Sequence, residues 1–335
     1  MAPPLVCGSV ATRDPGSERL LDKAQARQFF ANTIADADVH LVGANLAYDL
    51  GVMAADNPRL IAPIFDALDA GRLHDVAIRE ALIDIARGLH GVDPTTGRKL
   101  DDDEGARYPL ALLVKRYFGV DISEEKKNPK AWRLRYGELD DVPVEQWPVE
   151  AIEYPKRDAR FTIDVFFRQE EQARGVRNGG NLHAEAEQMR AAFALHLASI
   201  WGLRTNTVAV AELRERVERE WHENRVKFQA AGIFRADGSK DTKRLAALVT
   251  AAYAGNPPYT ASSSRHPGGQ VATDRDTLLG SGDPLLEDLG KNGRVDKYKS
   301  TYLDVVEAGT THPINPRFNV LVSTTRVSSD YQQLP

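Results

Sequence analysis

The sequence predicts a mixed α/β domain followed by a mainly helical region. Three observations carry that reading. Short β-type runs alternate with helix-periodic stretches up to about residue 175, the stretch GVRNGGN at 175–181 interrupts the pattern, and long helical segments follow it. At 335 residues the chain is long enough for two domains with ample core, and their expected bounds are 1–175 and 180–335. Hydrophobic residues at 42% and charged residues at 27% are ordinary for a globular protein.

In the first region, PLVCGSV (4–10) is predicted as a buried strand, Asp14-Pro15-Gly16 as a turn and Glu18 to Leu21 as a second strand. Asp22 is placed to cap a helix running to about Ala35, with Ala26, Phe29, Phe30 and Ile34 on its inner side. Val39 to Gly43 makes a further strand, and GANLAYDLGVM (43–53) turns from it into a helix. Pro58 opens another helix that Gly71 closes. RLHDVAI (72–78) is predicted as a strand and 79–87 as a helix. The acidic run Asp101, Asp102, Asp103, Glu104 lies in a polar insertion, where adjacent acids cannot converge on one ion and read as a solvated charge run. Tyr108 to Phe118 is an amphipathic helix. After it, Lys126, Lys127, Lys130, Arg133 and Arg135 are interleaved with Trp132 and Tyr136. That pattern suits single-strand contacts and equally suits a solvated loop with two packed aromatics. Residues 148–174 form the last helix of the region, and Pro155 is expected to bias Tyr154 away from helical geometry.

Beyond the linker, residues 183–203 read as a helix with Met189, Phe193, Leu197, Ile200 and Trp201 as core. A long helix follows from about Val208 to Ala231, then one over 240–254, then a long flexible loop over 257–273. The last two features are a basic, hydroxyl-rich helix at 290–309 and an extended end, LVSTTRVSSDYQQLP.

Composition excludes several classes. One cysteine, Cys7, rules out an internal disulfide and a multi-cysteine metal site. No apolar run approaches a membrane span and no signal peptide is read, so a soluble, cytoplasmic protein without a membrane partner is expected. A net charge of −5 argues against non-specific coating of DNA and leaves room for a local basic groove.

Two pairs carry the chemistry. Asn45 and Asp49 are four apart and share one face near a helix N-terminus, where an aspartate binds a divalent cation or caps the helix. The plain alternative has Asn45 as the cap and Asp49 as a solvated first-turn acid. Tyr154 and Asp158 are again one helical turn apart. In order and separation, Asn45, Tyr48 and Asp49, then Tyr154 and Asp158, resemble the Exo II and Exo III motifs of the DEDD-type 3′–5′ exonucleases. K-Y-K-S-T-Y (297–302) resembles the thumb helix of family A (DNA polymerase I-like) DNA polymerases. Thr324, Arg326, Ser328, Ser329, Gln332 and Pro335 resemble the element that opens their palm, with Thr325 where the family has Gly and Gln333 where it has Asn.

The resemblance implies a ribonuclease H-like mixed sheet with flanking helices, its first strand missing, followed by a thumb region and the start of the palm. It implies Asp49, Tyr154 and Asp158 as catalytic residues, and Asp49 and Asp158 as ligands of Mg²⁺ or Mn²⁺. It assigns DNA contacts to Asn45, Lys297, Lys299, Ser300, Tyr302, Arg326, Ser328, Ser329 and Gln332. The family's D-x-E motif, which supplies two further carboxylates, has no counterpart in this sequence, and Asp14 and Glu18 read as hairpin residues. Expected partners are primer-template duplex and a single-stranded 3′ end, in a bacterial cell and encoded by bacterium or phage. The parent activity is DNA-directed synthesis with proofreading, and this chain is expected to lack polymerase activity. Two other readings stay open: a non-catalytic module that guides the primer strand, and a stand-alone 3′–5′ exonuclease.

Overall fold

Cys7–Val10 (β1) and Arg19–Asp22 (β2) pair antiparallel, Cys7 opposite Asp22 and Val10 opposite Arg19. The turn between them is closed by Ser17, whose amide and hydroxyl both donate to the Asp14 carbonyl. Asp22 then caps Lys23–Ala35 (α1). Its carboxylate accepts the Gln25 amide at 2.8 Å while the Gln25 side chain accepts the Asp22 amide, a reciprocal box that satisfies two otherwise orphaned donors. These features are in the computed structural model, which describes residues 2–92, 96–98, 108–123, 131–176, 182–262, 266–320 and 327–329.

Leu41–Gly43 (β3) runs parallel to Leu73–Asp75 (β4). Leu46–Asp56 (α2) and Ile61–Asp69 (α3) form the crossover between them. Arg72, immediately before β4, is buried, and its guanidinium donates to the carbonyls of Ile34 at 2.9 Å, Asp36 at 2.8 Å and Val39 at 3.1 Å. It thereby closes the C-terminal end of α1 and fixes the approach to β3. Among the described residues β1–β2 and β3–β4 are two separate pairs, not the single mixed sheet expected, because no described strand bridges β1 to β3.

Val76–Ala86 (α4) begins three residues earlier than its pattern suggests, because Asp75 caps it by accepting the Ala77 and Ile78 amides. Leu110–Phe118 (α5) and Val149–Ala173 (α6) pack against it around a buried polar knot. Glu80 accepts the Tyr117 hydroxyl at 2.8 Å and the Gln169 amide at 2.7 Å, and it pairs with Arg116, which also reaches Asp84 at 3.1 Å. One acidic side chain of α4 thus holds two neighbouring helices in register.

The chain divides into two compact units, Met1–Gly202 with Asn315–Gln332, and Leu203–Ile314. The division falls later than the glycine-rich linker. Glu185–Trp201 (α7) belongs to the first unit, where its wholly buried Met189 and Phe193 complete the core formed by Phe30, Leu50, Ile64 and Leu73. Trp201, expected as core of a helix in the second region, is 81% exposed at the last residue of α7. Phe318–Asn319 (β5) and Ser328–Ser329 (β6) pair antiparallel and also belong to the first unit.

The second unit is helical: Thr207–Ala230 (α8), Thr242–Ala252 (α9), Arg275–Leu279 (α10), Pro284–Lys297 (α11) and Leu303–Thr311 (α12). Side chains of Asn206, Asp241, Asp274 and Asp283 accept amides at the starts of α8, α9, α10 and α11. Phe228, Ile233, Leu245, Val249 and Leu286 fill its core. The described ends of the 257–273 loop are tied together, since Tyr259 pairs with Val271 and the Thr260 amide donates to the Gln270 carbonyl at 2.8 Å. No described helix is long and apolar enough to cross a membrane.

Candidate nucleic-acid and metal site

Asn45 sits at the cap position of α2 in the left-handed region, φ 66° and ψ 45°, a conformation asparagine tolerates better than most residues. Its side chain makes no capping bond, so the capping alternative is not what is found. Asp75 does that work from the neighbouring strand. Its Oδ2 accepts the Leu46 amide at 2.6 Å while Oδ1 serves the start of α4, so one buried carboxylate staples two helix N-termini. Asn45 and Asp49 are consequently held by backbone geometry with their side chains exposed.

Asp49 lies in the first turn of α2 with solvent access on one side and protein crowded around the rest. Burial first, then the negative charge of Asp75, pushes its carboxyl up to about 7. Burial also pushes the Asp75 carboxyl up, against the backbone amides that hold it down. Two like charges in that setting favour either a proton or a cation on Asp49 near neutral pH. Tyr48 is exposed beside it, its ring edge-on to His196 with centroids 6.0 Å apart.

Tyr154 and Asp158 are both half-buried on α6, and the Asp158 carboxylate acts on the Tyr154 phenol from one helical turn away. Burial, then the Asp158 charge, holds that phenol well above its usual range, while Arg133 and Arg157 act in the opposite direction. Pro155 does not break the helix between Tyr154 and Asp158. Having no N–H, it leaves the Ala151 carbonyl without its intrahelical donor, and the Tyr136 hydroxyl donates to that oxygen at 2.8 Å. Tyr136 and Trp132 are therefore packed aromatics. Tyr136 lies against Trp147, and Trp132 carries the Arg135 guanidinium 4.5 Å above its ring. Lys126, Lys127 and Lys130 lie outside the described residues.

The two acids have different neighbours. Asp75 is the charged group that acts on Asp49, whereas Asp158, Arg133 and Arg157 are the charged groups that act on Tyr154. Among the described residues no three His, Cys, Asp or Glu side chains form a group that could hold a metal ion. In the second unit the residues Tyr298–Tyr302 make a wide π-helical turn between α11 and α12. Lys297 and Ser300 are exposed there, and the Lys299 ammonium lies 4.1 Å from the Trp221 ring. Tyr302 departs from its expected role: it is 7% exposed, packs edge-on against Tyr298 and supports the turn from beneath. Ser328 and Ser329 sit in β6, opposite Asn319 and Phe318, and belong to the first unit, not to the helical unit to which the sequence assigned them. Arg326 and Gln332 lie outside the described residues.

Sequence reasoning missed Asp75 and Tyr136. Asp75 carried a visible signal, an aspartate directly before a helix-periodic run. Tyr136 carried only an indirect one, since Pro155 demands some donor for Ala151 without saying which. In comparisons with known proteins, no family model matches this chain and neither does any curated protein.

Proposed function

We propose that this chain is part of a DNA-directed DNA polymerase of the family A type. On this reading the first unit is a ribonuclease H-like 3′–5′ exonuclease-type domain that receives a single-stranded 3′ end, and the second unit is a thumb that grips primer-template duplex. The observation that carries it is the half-buried Tyr154–Asp158 pair one turn apart on the unbroken helix α6, together with the exposed Asp49 on the first turn of α2. Hard divalent cations such as Mg²⁺ and Mn²⁺ take carboxylate oxygens, and the raised carboxyl of Asp49 suits exchange of a proton for such an ion. Asp49 and Asp158 would hold the cations, which when bound activate water and stabilise a leaving 3′ oxygen. Asp158 orients the Tyr154 hydroxyl, and that hydroxyl positions water. Asn45, free of a capping role, donates to the DNA. Lys297, Lys299 and Ser300 present donors for backbone phosphates on the helical unit.

A second reading, a non-catalytic module that guides the primer strand, is favoured by the lack of a three-residue metal group among the described residues. Fluorescence anisotropy with labelled primer-template DNA tests the part both readings share. Affinity should fall steeply as salt rises, and the double substitution Lys297→Ala, Lys299→Ala should flatten the log–log salt slope by about 1–2. Absence of salt-dependent binding would remove both readings.

A further inference from the structure

His40 ends the exposed stretch leading into β3, and His74 lies in β4. His40 Nδ1 is 2.9 Å from His74 Nε2. The ring planes are within 10° of each other and the centroids are 5.2 Å apart. The nitrogen–nitrogen distance plus one ring radius on each side accounts for that separation. The imidazoles therefore meet edge to edge, nitrogen facing nitrogen. On its far side, His74 Nδ1 lies 2.5 Å from Glu185 Oε1, and Glu185 is held by Arg79, which donates to both its oxygens at 2.6 Å. With Glu185 accepting the Nδ1 proton, His74 is left with its Nε2 lone pair turned toward His40.

We propose that His40 and His74 form a two-imidazole site for a divalent transition metal of the zinc type, with Glu185 orienting His74 and water completing the coordination. A carboxylate behind a histidine is the usual outer partner of a metal-bound imidazole. A tetrahedral ion with Zn–N bonds of about 2.0–2.1 Å needs its two nitrogens about 3.3 Å apart. The nitrogens must part by a few tenths of an ångström and the His40 ring must swing off the present head-on line so that its lone pair meets that of His74 at a tetrahedral angle, and the exposed position of His40 gives room for that turn. Burial, then His74 and Arg72, lower the His40 imidazole from its ordinary range against the opposing pull of Glu185, which favours the neutral form that ligates. Around the pair the charges nearly cancel: Arg79 faces Glu185 and Glu170, and the Arg72 guanidinium is taken up by carbonyls. Nitrogen ligands separate this site chemically from the carboxylates Asp49 and Asp158, which suit Mg²⁺. The inference does not depend on the function proposed above.

The test is Zn²⁺ titration of the full chain against a chromophoric chelator at pH 7.5 with excess Mg²⁺ present, repeated with Co²⁺ by visible absorption. One equivalent should bind, weakening as pH falls through the histidine range. His40→Ala and His74→Ala should each lower affinity at least tenfold, and Glu185→Gln by about 10–100-fold. His40 is exposed, so His40→Ala keeps the fold, and circular dichroism confirms that before titration. No saturable binding, or equal binding by the wild type and His40→Ala, would overturn the proposal. So would a single equivalent lost instead in the double variant Asp49→Ala, Asp158→Ala.

Discussion

Pro155 and Tyr136 form a reciprocal pair whose energetics can be measured. The Ala151 carbonyl is wholly buried and has lost its usual i+4 donor to the proline ring. Tyr136→Phe removes the hydroxyl that replaces that donor and leaves the oxygen unsatisfied, at a cost of about 1–3 kcal/mol. Pro155→Ala gives residue 155 an N–H aimed at the same oxygen. In that background Tyr136→Phe should cost less by about 1–2 kcal/mol, within the range of coupled neighbours. Urea unfolding of the wild type, the two single variants and the double variant closes the cycle, with the midpoints compared at unchanged slope. Equal losses for Tyr136→Phe in both backgrounds would refute the reasoning. The result also bears on the candidate site, because unbroken helix here keeps Tyr154 and Asp158 one turn apart.

Four further outcomes are expected. Asp75→Asn removes the charge beside Asp49, so the Asp49 carboxyl should titrate below its present value of about 7, measured by carbonyl NMR. Because that carboxyl is raised above its unfolded range, its contribution to stability is full below about pH 3.9 and is lost as pH rises toward 7. Asp49→Asn should accordingly lose less melting temperature than the wild type between pH 4 and 7, and a greater loss would contradict the assignment. Arg116→Ala strips the buried Glu80 and Asp84 of their cation and should cost about 3–5 kcal/mol in denaturant unfolding. A Cβ added at Gly51 would stand 2.5 Å from the His196 ring and 2.8 Å from Ile200, so Gly51→Ala should destabilise by about 1–3 kcal/mol despite its better helix propensity.

Much of the first unit is legible from local chemistry. Asp22 announces its helix, Gly71 ends another, and the apolar periods place Phe30, Ile34, Met189 and Phe193 inside. What stays hidden depends on contacts distant in sequence. The glycine-rich stretch at 175–181 looks like a domain border, yet the apolar face of α7 finds its partners in α2 and α3, more than a hundred residues earlier. Pro155 reads as a helix breaker because its rescue comes from a side chain outside the helix. Asn45 reads as a cap because Asp75, which satisfies the Leu46 amide instead, belongs to another strand. Tyr302 reads as a surface contact from its basic neighbours, whereas the wide turn at 298–302 rotates it inward and leaves Lys297 and Ser300 outside.

The most direct measurement is trimming of a single-stranded oligonucleotide that carries its label at the 5′ end, in Mg²⁺ or Mn²⁺, by the wild type, Asp49→Ala and Asp158→Ala. Stepwise shortening from the 3′ end that requires the metal and is lost in both variants is the predicted result. Shortening that persists in Asp158→Ala, or metal-independent binding with no shortening, would contradict a hydrolytic role for Asp49, Tyr154 and Asp158.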